Sequence, residues 1–328
     1  MAGGLIAGRG FTWRSRSPTP APAALFAGLC TFDLIQSVTR MPGPNEKVTA
    51  ARQLTAAGGP ATNASVTFAF LGGHATLLTG VGRHPLAAGM RADLRQAGVR
   101  LIDAAETDDS PPSVSSIIVT QGTGDRCVVS RNAAGRTLDP PPDLAALVDE
   151  AQAVLVDGHH RALAVAAARA ARERGRLCIM DGGSWKPVTA ELLPHVDIAV
   201  CSADFRPPGQ PGQPGQPGRA AKSADDTLAY LLDSGVPWAA ITDGPRPVRW
   251  ASRAHGIQPD IPVPVTEVAD TLGAGDVFHG AFTHAIAAHA VPSEHDLAAA
   301  LQFAATVAAH SCQAFGTRGW MTSWAARP

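Results

Sequence analysis

Short apolar runs that alternate with alanine-rich stretches dominate the middle of this 328-residue chain. An apolar run that ends in aspartate, serine or glycine is typical of a buried strand, and the stretches between the runs have the composition of helices. Strands that alternate with helices predict an α/β fold, in which a parallel sheet has helices on both sides. The runs are AVLVDG, LCIMDGG, IAVCS and WAAITDG, and RALAVAAARAARERG is one of the stretches between them.

Polar residues follow the predicted strands at the positions where a ligand would bind. In open parallel sheets, ligands lie at the carboxyl ends of the strands. Some of the polar residues at these ends are expected to serve only as turn formers. The residues at such ends are Asp33, Asp157, Asp181, Ser202 and Asp243.

Other β-rich segments do not follow the alternating pattern. The first strand of the fold is expected to be a single apolar strand that runs from Ala23 to near Asp33. Further strands are predicted around Lys47–Ala57 and within SSIIVTQGTGDRCVV. In the latter run, Gly122–Asp125 suits the turn of a hairpin.

The stretch DTLGAGDVFHGAF, from Asp270 to Phe282, places a glycine-rich turn directly before an apolar helix. The small residues Gly273, Ala274 and Gly275 let the backbone approach a ligand closely, and the N-terminus of the helix is an anion site suited to phosphate. Asp276 at the junction is a suitable base for a substrate hydroxyl. An anion site beside a base is the minimum apparatus for moving a phosphoryl group onto an alcohol. The alternative is an ordinary turn in which the aspartate only caps the helix.

A second glycine motif, AGGPATNAS, spans Ala57–Ser65. Gly58 and Gly59 suit a tight turn with close approach to a small ligand, and Asn63 offers a donor and an acceptor to a polyol. Alternatively, the motif is only a turn in which Asn63 caps the helix that follows.

Together, the two motifs resemble the signatures of the ribokinase/PfkB family of carbohydrate and nucleoside kinases, and the resemblance covers nearly the whole chain from Ala23 onwards. It implies a ribokinase-like three-layer αβα fold with a central, mostly parallel sheet and a small β-sheet lid. The lid strands are expected at about 34–57 and 112–131. The N-terminal signature is matched by Gly58, Gly59, Asn63, Ser65, Gly72 and Gly82. The C-terminal signature is matched by Asp270, Thr271, Gly273, Ala274, Gly275, Asp276, Gly280 and Ala281.

The resemblance implies an ATP-dependent kinase that phosphorylates a hydroxymethyl group on a small carbohydrate of the ketose or pentose type. Asp276 matches the family's catalytic base, and the Gly273–Asp276 helix N-terminus would hold phosphate. This fits the absence of a GxxxxGK[ST] loop from the chain. The residues expected to contact the nucleotide are Thr242, Gly244, Ala308, Cys312 and Gly316.

Metal ligation is where the chain departs from the family pattern. Many relatives carry N-x-x-E after the strand that matches IAVCS, where it organises water around Mg²⁺, but this chain has SADF there. The ketohexokinase branch shows a similar Ser-x-Asp, so Asp204 is the expected contact to Mg²⁺ through water. As in many relatives, Asp270 and Thr271 are expected to contribute to a K⁺ site.

The sugar side of the chain looks most like ketohexokinase and sulfofructose kinase. Lys47 lies where sulfofructose kinases use a lysine near the anionic end of the sugar, but His159 stands where that type of enzyme has a sulfonate-binding arginine. The identity of the sugar therefore stays open, and a neutral sugar is favoured. The residues expected to bind substrate are Asp33, Gly58, Gly59, Asn63, Lys47 and His159.

Three alternatives stand beside a neutral-sugar kinase: a sulfofructose kinase, a nucleoside kinase and a non-catalytic sugar-binding regulator. The single tyrosine, Tyr230, lies outside the lid segments, which leaves no evident aromatic platform for a nucleoside base. The intact Gly273–Asp276 turn argues against a regulator, whereas the altered N-x-x-E segment favours one.

Composition limits the remaining classes of protein. A net charge of −1 gives no sign of a nucleic-acid partner, and no apolar run reaches membrane-spanning length. Five scattered cysteines without a CxxC pair fit a reducing cytoplasm. Residues 1–22 are expected to form a disordered tail before a kinase domain at 23–328, and the Pro/Gly-rich segment 207–218 is expected to be a solvated loop. The expected partners are the sugar, ATP and, as in many relatives, a second copy bound through the lid.

Overall fold

The computed structural model of the protein describes residues 20–208 and 223–325. Most of the predicted tail at 1–22 and of the predicted loop at 207–218 lies outside these residues. The strands are β1 (Ala23–Ala27), β2 (Thr31–Val38), β3 (Arg52–Gly58), β4 (His74–Thr79), β5 (Arg100–Asp103), β6 (Val114–Thr120), β7 (Arg126–Ser130), β8 (Ala153–Val156), β9 (Leu177–Gly182), β10 (Ile198–Ser202), β11 (Trp238–Asp243), β12 (Arg246–Ser252) and β13 (Gly256–Ile257). The helices are α1 (Pro60–Phe70), α2 (Pro85–Gln96), α3 (Leu144–Asp149), α4 (Arg161–Glu173), α5 (Thr189–Leu192), α6 (Ala224–Asp233), α7 (Ala274–Ile286), α8 (Glu294–Ser311) and α9 (Met321–Ala325), with a 3₁₀ helix at Leu193–His195.

Nine strands form one large sheet in the order β13-β12-β11-β10-β9-β8-β1-β4-β5. Every neighbouring pair from β11 to β5 is parallel, whereas β12 and β13 extend the edge in antiparallel fashion. The four apolar runs in the middle of the sequence are the adjacent strands β8, β9, β10 and β11. The predicted, mostly parallel α/β architecture is therefore confirmed.

Helices cover both faces of the large sheet, and each face has its own apolar core. Along β1, Ala24 and Phe26 pack with α1, α2, α7 and α8, whereas Leu25 and Ala27 pack with α3 to α6 on the other face. Successive side chains of a strand point to opposite faces, so a central strand must be apolar throughout to fill both cores. Within residues 20–208 and 223–325, none of the helices combines the length and the apolar character that crossing a membrane requires.

Strands β2, β3, β6 and β7 form a separate sheet, here called the lid sheet, in the order β3-β2-β6-β7. Its strand pair β6–β7 is the hairpin that the sequence predicts. The apolar side chains of Ile35, Ile117 and Val119 pack against Phe315, and Leu272 packs on the same cluster. The lid sheet therefore rests on the loops that follow α8 and precede α7.

The single strand expected between Ala23 and Asp33 is wrong, because two strands occupy this stretch. Strand β1 belongs to the large sheet, whereas β2 belongs to the lid sheet. They separate at Gly28, where a Cβ atom would overlap the carboxylate of Asp157, so only glycine fits. Likewise, the strand expected from Lys47 begins only at Arg52.

Candidate active site

A cleft of about 290 Å³ lies between the carboxyl edge of the large sheet and the lid sheet. The loops after β8 and β9 line one side of it, the lid strands line the other, and the first turns of α1 and α7 contribute to the wall. The cleft is therefore where a parallel sheet is expected to bind its ligands. Its polar lining includes Asp33, Asn63, Ser115, Asp157, His159, Asp181, Lys186 and Asp276.

The glycine-rich turn before α7 opens the helix as the sequence predicts. Gly273 has a left-handed backbone (φ 72), and a Cβ atom on it would also come within 2.9 Å of the methyl carbon of Thr317. The first amides of a helix have no acceptor within the helix and carry partial positive charge. A Cβ atom on Gly275 would meet nothing within 4 Å. The amides of Gly275 and Asp276 can therefore receive an anion.

Asp276 lies in the first turn of α7, is half-buried and lines the cleft. Asn63 Nδ2, on α1, donates a hydrogen bond of 2.8 Å to Asp276 Oδ2. The two helices come close because Gly280 faces α1, where a Cβ atom would collide with the carbonyl oxygen of Ala64. Asn63 Oδ1 is buried and has no hydrogen-bond partner among the described residues. A ligand hydroxyl in the cleft would satisfy this acceptor.

The electrostatic surroundings of Asp276 suit a proton acceptor. Burial, and next the charge of Asp181, raise the pKa of Asp276 to about 7, against the opposing effects of the Asn63 hydrogen bond and of His279. A carboxylate that titrates near neutral pH can take a proton from a substrate and release it again.

Asp33 lies on β2 of the lid sheet and is buried. Its carboxylate accepts a hydrogen bond of 2.5 Å from Thr31 Oγ1. Burial raises the pKa of Asp33, and hydrogen bonds from Thr31 and Ser115 oppose this shift. A Cβ atom on Gly58 would overlap the carboxylate, so the glycine makes room for Asp33. Gly58 thus affects the cleft indirectly, because it leaves space for the Asp33 side chain.

Asp157 ties the loop after β1 and the start of α1 to its own loop beside the cleft. Its carboxylate accepts hydrogen bonds from the amides of Leu29 (2.8 Å), Ala61 (3.2 Å) and His159 (3.0 Å). Burial alone would raise the pKa of Asp157, but His159, the amide hydrogen bonds from Leu29 and His159, and Lys186 bring it below its ordinary value. Burial lowers the pKa of His159, so its ring is neutral at pH 7 and offers a ligand a hydrogen bond without a charge.

The residues predicted to bind substrate do not all reach the cleft. Asp33, Gly59, Asn63 and His159 line it. Lys47 is exposed in the segment between β2 and β3 and is not among the lining residues. Its contact with substrate stays a prediction.

The residues predicted to contact the nucleotide lie outside this cleft. Thr242 is near the end of β11, and Gly244 (φ 55) forms the turn into β12. Ala308 and Cys312 lie at the end of α8, where the Cys312 carbonyl accepts hydrogen bonds from the loop that precedes α7. The amide of Gly316 donates to the same loop (2.8 Å). The end of α8 thus adjoins the loop that precedes α7, and the nucleotide contacts stay predictions.

Asp270 and Thr271 connect the turn before α7 to its neighbours. Asp270 accepts hydrogen bonds of 2.8 Å from the amide of Leu272 and from the loop after α8. Thr271 Oγ1 donates to the carbonyl oxygen of Gly124 (3.1 Å) and accepts from Arg126 (2.7 Å), both at the lid hairpin. The Thr271 hydroxyl already has two partners, one of them a guanidinium, so it is not free to ligate K⁺. A K⁺ site at Asp270 and Thr271 stays a prediction.

Asp204 follows β10 and is exposed. Its amide donates to Ser202 Oγ (3.1 Å), which donates to the carbonyl oxygen of Gly183 (2.8 Å). The described part of the chain contains no group of three or more His, Cys, Asp or Glu side chains that could hold a metal ion. A single exposed carboxylate fits an outer contact to Mg²⁺ that arrives with nucleotide phosphates, and not a metal site built by the protein.

Three residues of this region carry roles that the sequence alone does not assign: Asp181, Lys186 and His279. Asp181 is signalled only by its place at the end of a predicted strand. Lys186 is one of three lysines in the chain, and it lines the cleft. His279 is an ionisable residue inside the otherwise apolar run VFHGAF, which is the one signal that could have singled it out.

The fold and the site define a class of protein. A carboxylate beside a glycine-led helix N-terminus, in a cleft covered by a small sheet, is the apparatus of a kinase that acts on small alcohols. The chain belongs to the pfkB family carbohydrate kinases, whose sequence profile matches residues 23–324. The resemblance seen in the two glycine motifs is therefore confirmed, and the protein is a phosphotransferase of the sugar kinase type.

Individual relatives are ribokinases. The chain is 24% identical over 298 residues to the ribokinase of Bacillus subtilis (strain 168), which covers 90% of this chain and 94% of that protein. The ribokinase structure from Giardia lamblia superposes with a TM-score of 0.75 at 17% identity, covering 92% of this chain and 96% of that one. The Arabidopsis thaliana ribokinase complexed with ribose and ATP gives 0.70 at 21% identity, covering 92% and 98%. At these identities the two structures show a shared fold.

Proposed function

We propose that the protein transfers the γ-phosphoryl group of ATP to a hydroxymethyl group on a small neutral carbohydrate of the ketose or pentose type. The position of Asp276 carries this proposal. Asp276 is a half-buried carboxylate with a pKa of about 7, and it lies in the first turn of the glycine-led helix α7. Base and anion site on one helical turn would bring the hydroxyl and the phosphoryl group together.

In the proposed reaction, ionised Asp276 takes the proton of the hydroxyl while the hydroxyl oxygen attacks the γ-phosphorus. The bond between this phosphorus and the β–γ bridging oxygen breaks, and ADP leaves with that electron pair. The amides of Gly275 and Asp276 would stabilise the charge on the transferred group. Mg²⁺, when bound with the nucleotide, neutralises phosphate charge, and Asp204 is the residue proposed to contact it through water.

The charges in the cleft support a neutral sugar. Carboxylates outnumber cationic groups, because the neutral ring of His159 leaves Lys186 as the cationic side chain among the lining residues. An anionic sugar would meet like charges there. Hydroxyl groups, in contrast, would find acceptors there, among them the unpartnered Oδ1 atom of Asn63. The lining carboxylates are Asp33, Asp157, Asp181 and Asp276.

The test is a kinase assay with ATP in which turnover is measured as ADP release. Its substrate panel is fructose, ribose, 6-deoxy-6-sulfofructose, tagatose 6-phosphate and adenosine. A neutral ketose or pentose should be phosphorylated, and kcat/KM should fall below about pH 7 as Asp276 gains its proton. Asp276→Asn should lower kcat on the order of 10²–10⁴-fold. Sugar binding by calorimetry without turnover would instead indicate a regulator, and exclusive use of an anionic sugar would contradict the neutral substrate.

A further inference from the structure

His279 is a buried histidine on α7, one turn after Asp276, and the proposed transfer does not use it. Its Nδ1 atom lies 2.7 Å from the carbonyl oxygen of Gly275, and its Nε2 atom lies 3.0 Å from the carbonyl oxygen of Val200 on β10. A carbonyl oxygen only accepts hydrogen bonds, so both ring nitrogens face acceptors. This geometry fits an imidazolium, because a neutral ring would set a lone pair against one of the two oxygens.

A buried positive charge requires a negative partner, and Asp181 supplies it. Asp181 lies at the end of β9, and its Oδ2 atom is 3.4 Å from His279 Nδ1. Both side chains are buried, and this Oδ2 atom has no hydrogen-bond partner among the described residues. With the His279 ring protonated, this contact is an ion pair, and the same carboxylate also lines the cleft.

We propose that His279 and Asp181 are positioning residues of opposite sign that together set the ionisation of Asp276. This proposal rests on the proposed function of Asp276 as the base. The imidazolium beside the first turn of α7 favours the ionised form of Asp276. The carboxylate of Asp181 balances the imidazolium and disfavours that form. The two charges hold the base near its point of protonation, so it can accept the proton of the substrate and later release it.

The contributions of Asp181 and His279 to the pKa of Asp276 have the opposite signs that this arrangement requires. After burial, the charge of Asp181 is the largest cause that raises the pKa of Asp276, whereas His279 lowers it. Burial raises the pKa of Asp181 in turn, and His279 is the main opposing group. Other titratable groups also face the three residues, from the loops after β8 and β9 and from the lid sheet. They are Asp157, His159, Lys186 and Asp33.

The pH profile of kcat/KM tests the proposal, because its acidic limb reports the ionisation of the base. His279→Gln removes the positive charge and keeps an N–H donor, so the limb should move to higher pH by on the order of one unit. Asp181→Asn removes the negative charge, so the limb should move to lower pH by a similar amount. A structural role alone would reduce activity at every pH and leave the limb in place.

His284→Gln is the matched control, because His284 lies on the same helix but stacks edge-on against Phe68 with ring centroids 5.4 Å apart. This variant should leave the limb where it is. Shifts in the same direction for His279→Gln and Asp181→Asn, or no shift in either, would overturn the proposal. Should His279→Gln fail to fold, the direction of the shift in Asp181→Asn decides.

A measurement without substrate separates this proposal from the proposed function. Carbon-13 NMR of aspartate carboxyl carbons follows the titration of Asp276, whose signal is the one lost in Asp276→Asn. His279→Gln should raise its midpoint and Asp181→Asn should lower it. These shifts in a protein that phosphorylates no sugar would refute the proposed function and leave the charged pair standing. An active kinase without these shifts would refute the pair alone.

Discussion

Replacing Asp276 with asparagine should stabilise the protein while removing most of its turnover. Burial and the charge of Asp181 raise the pKa of Asp276 to about 7, so the folded protein binds this proton more tightly than the unfolded chain does. As the pH rises from about 4 to about 7, the unfolded chain releases the proton first and stability falls. Above that range, the folded protein carries the full cost of the ionised carboxylate. Asparagine removes this cost and can still accept the hydrogen bond of Asn63.

The magnitude follows from the size of this shift. A rise from 3.8 to about 7 is roughly three pH units, and at about 1.4 kcal/mol per unit the upper limit is about 4 kcal/mol. Asp276 is only half-buried and borders an open cleft, so solvent screening reduces the expected gain to about 1–2 kcal/mol. This corresponds to a rise in Tm of roughly 2–5 °C at about pH 8, and to a smaller rise at about pH 5.

Thermal unfolding followed by circular dichroism at both pH values measures the effect, with turnover recorded on the same samples. Asp204→Asn is the control, because Asp204 is an exposed carboxylate after β10 and its replacement should leave Tm unchanged. A Tm of Asp276→Asn at or below that of the wild type at about pH 8 would refute the reasoning. So would a gain of equal size at both pH values.

Three further predictions concern packing, sugar contact and assembly. Gly280→Ala should destabilise the protein by about 1–3 kcal/mol and lower Tm, because the new carbon would collide with α1. Gly275→Ala should keep Tm but lose activity, because its methyl group would crowd the proposed anion site. Equal losses of Tm in the two variants would contradict this. Asn63→Ala should weaken sugar binding by about 1–3 kcal/mol, so steady-state kinetics should show a KM for sugar that rises far more than the KM for ATP. A selective rise in the KM for ATP would show that the two sites are reversed. Val129, 69% exposed on β7, should be needed for the predicted homodimer through the lid sheet, so Val129→Glu should yield a monomer in light scattering, and an unchanged mass would argue against this interface.

Much of the large sheet could be predicted because its signals are local. Strands β8 to β11 are buried on both faces, so each appears as an apolar run that ends in turn-forming residues. The start of α7 is equally local, because Gly273 and Asp276 stand within one turn of the helix they open. For the same reason, the central pair of the candidate site, Asn63 and Asp276, could be named from two short motifs.

Features that depend on contacts between distant parts of the chain could not be predicted. The break between β1 and β2 exists because Gly28 meets the carboxylate of Asp157, which belongs to another loop, and the apolar sequence across the break does not reveal it. Which lysine borders the cleft is likewise decided by the paths of two loops, and Lys186 reaches it whereas Lys47 is exposed. The environment of His279 depends on a carbonyl oxygen of β10, which no local pattern can indicate.

The packing of the lid sheet on Leu272 and Phe315 has a thermodynamic consequence for the two ligands. A sugar that shifts the lid sheet also shifts these side chains and, through Thr271, the turn that would receive the nucleotide phosphates. Linkage makes such an effect reciprocal, so the factor by which sugar changes the Kd of ATP equals the factor by which ATP changes the Kd of sugar. A Kd for sugar measured alone and a Kd measured with saturating nucleotide therefore describe two different states of the protein, and RT times the logarithm of their ratio is the coupling free energy between the two sites.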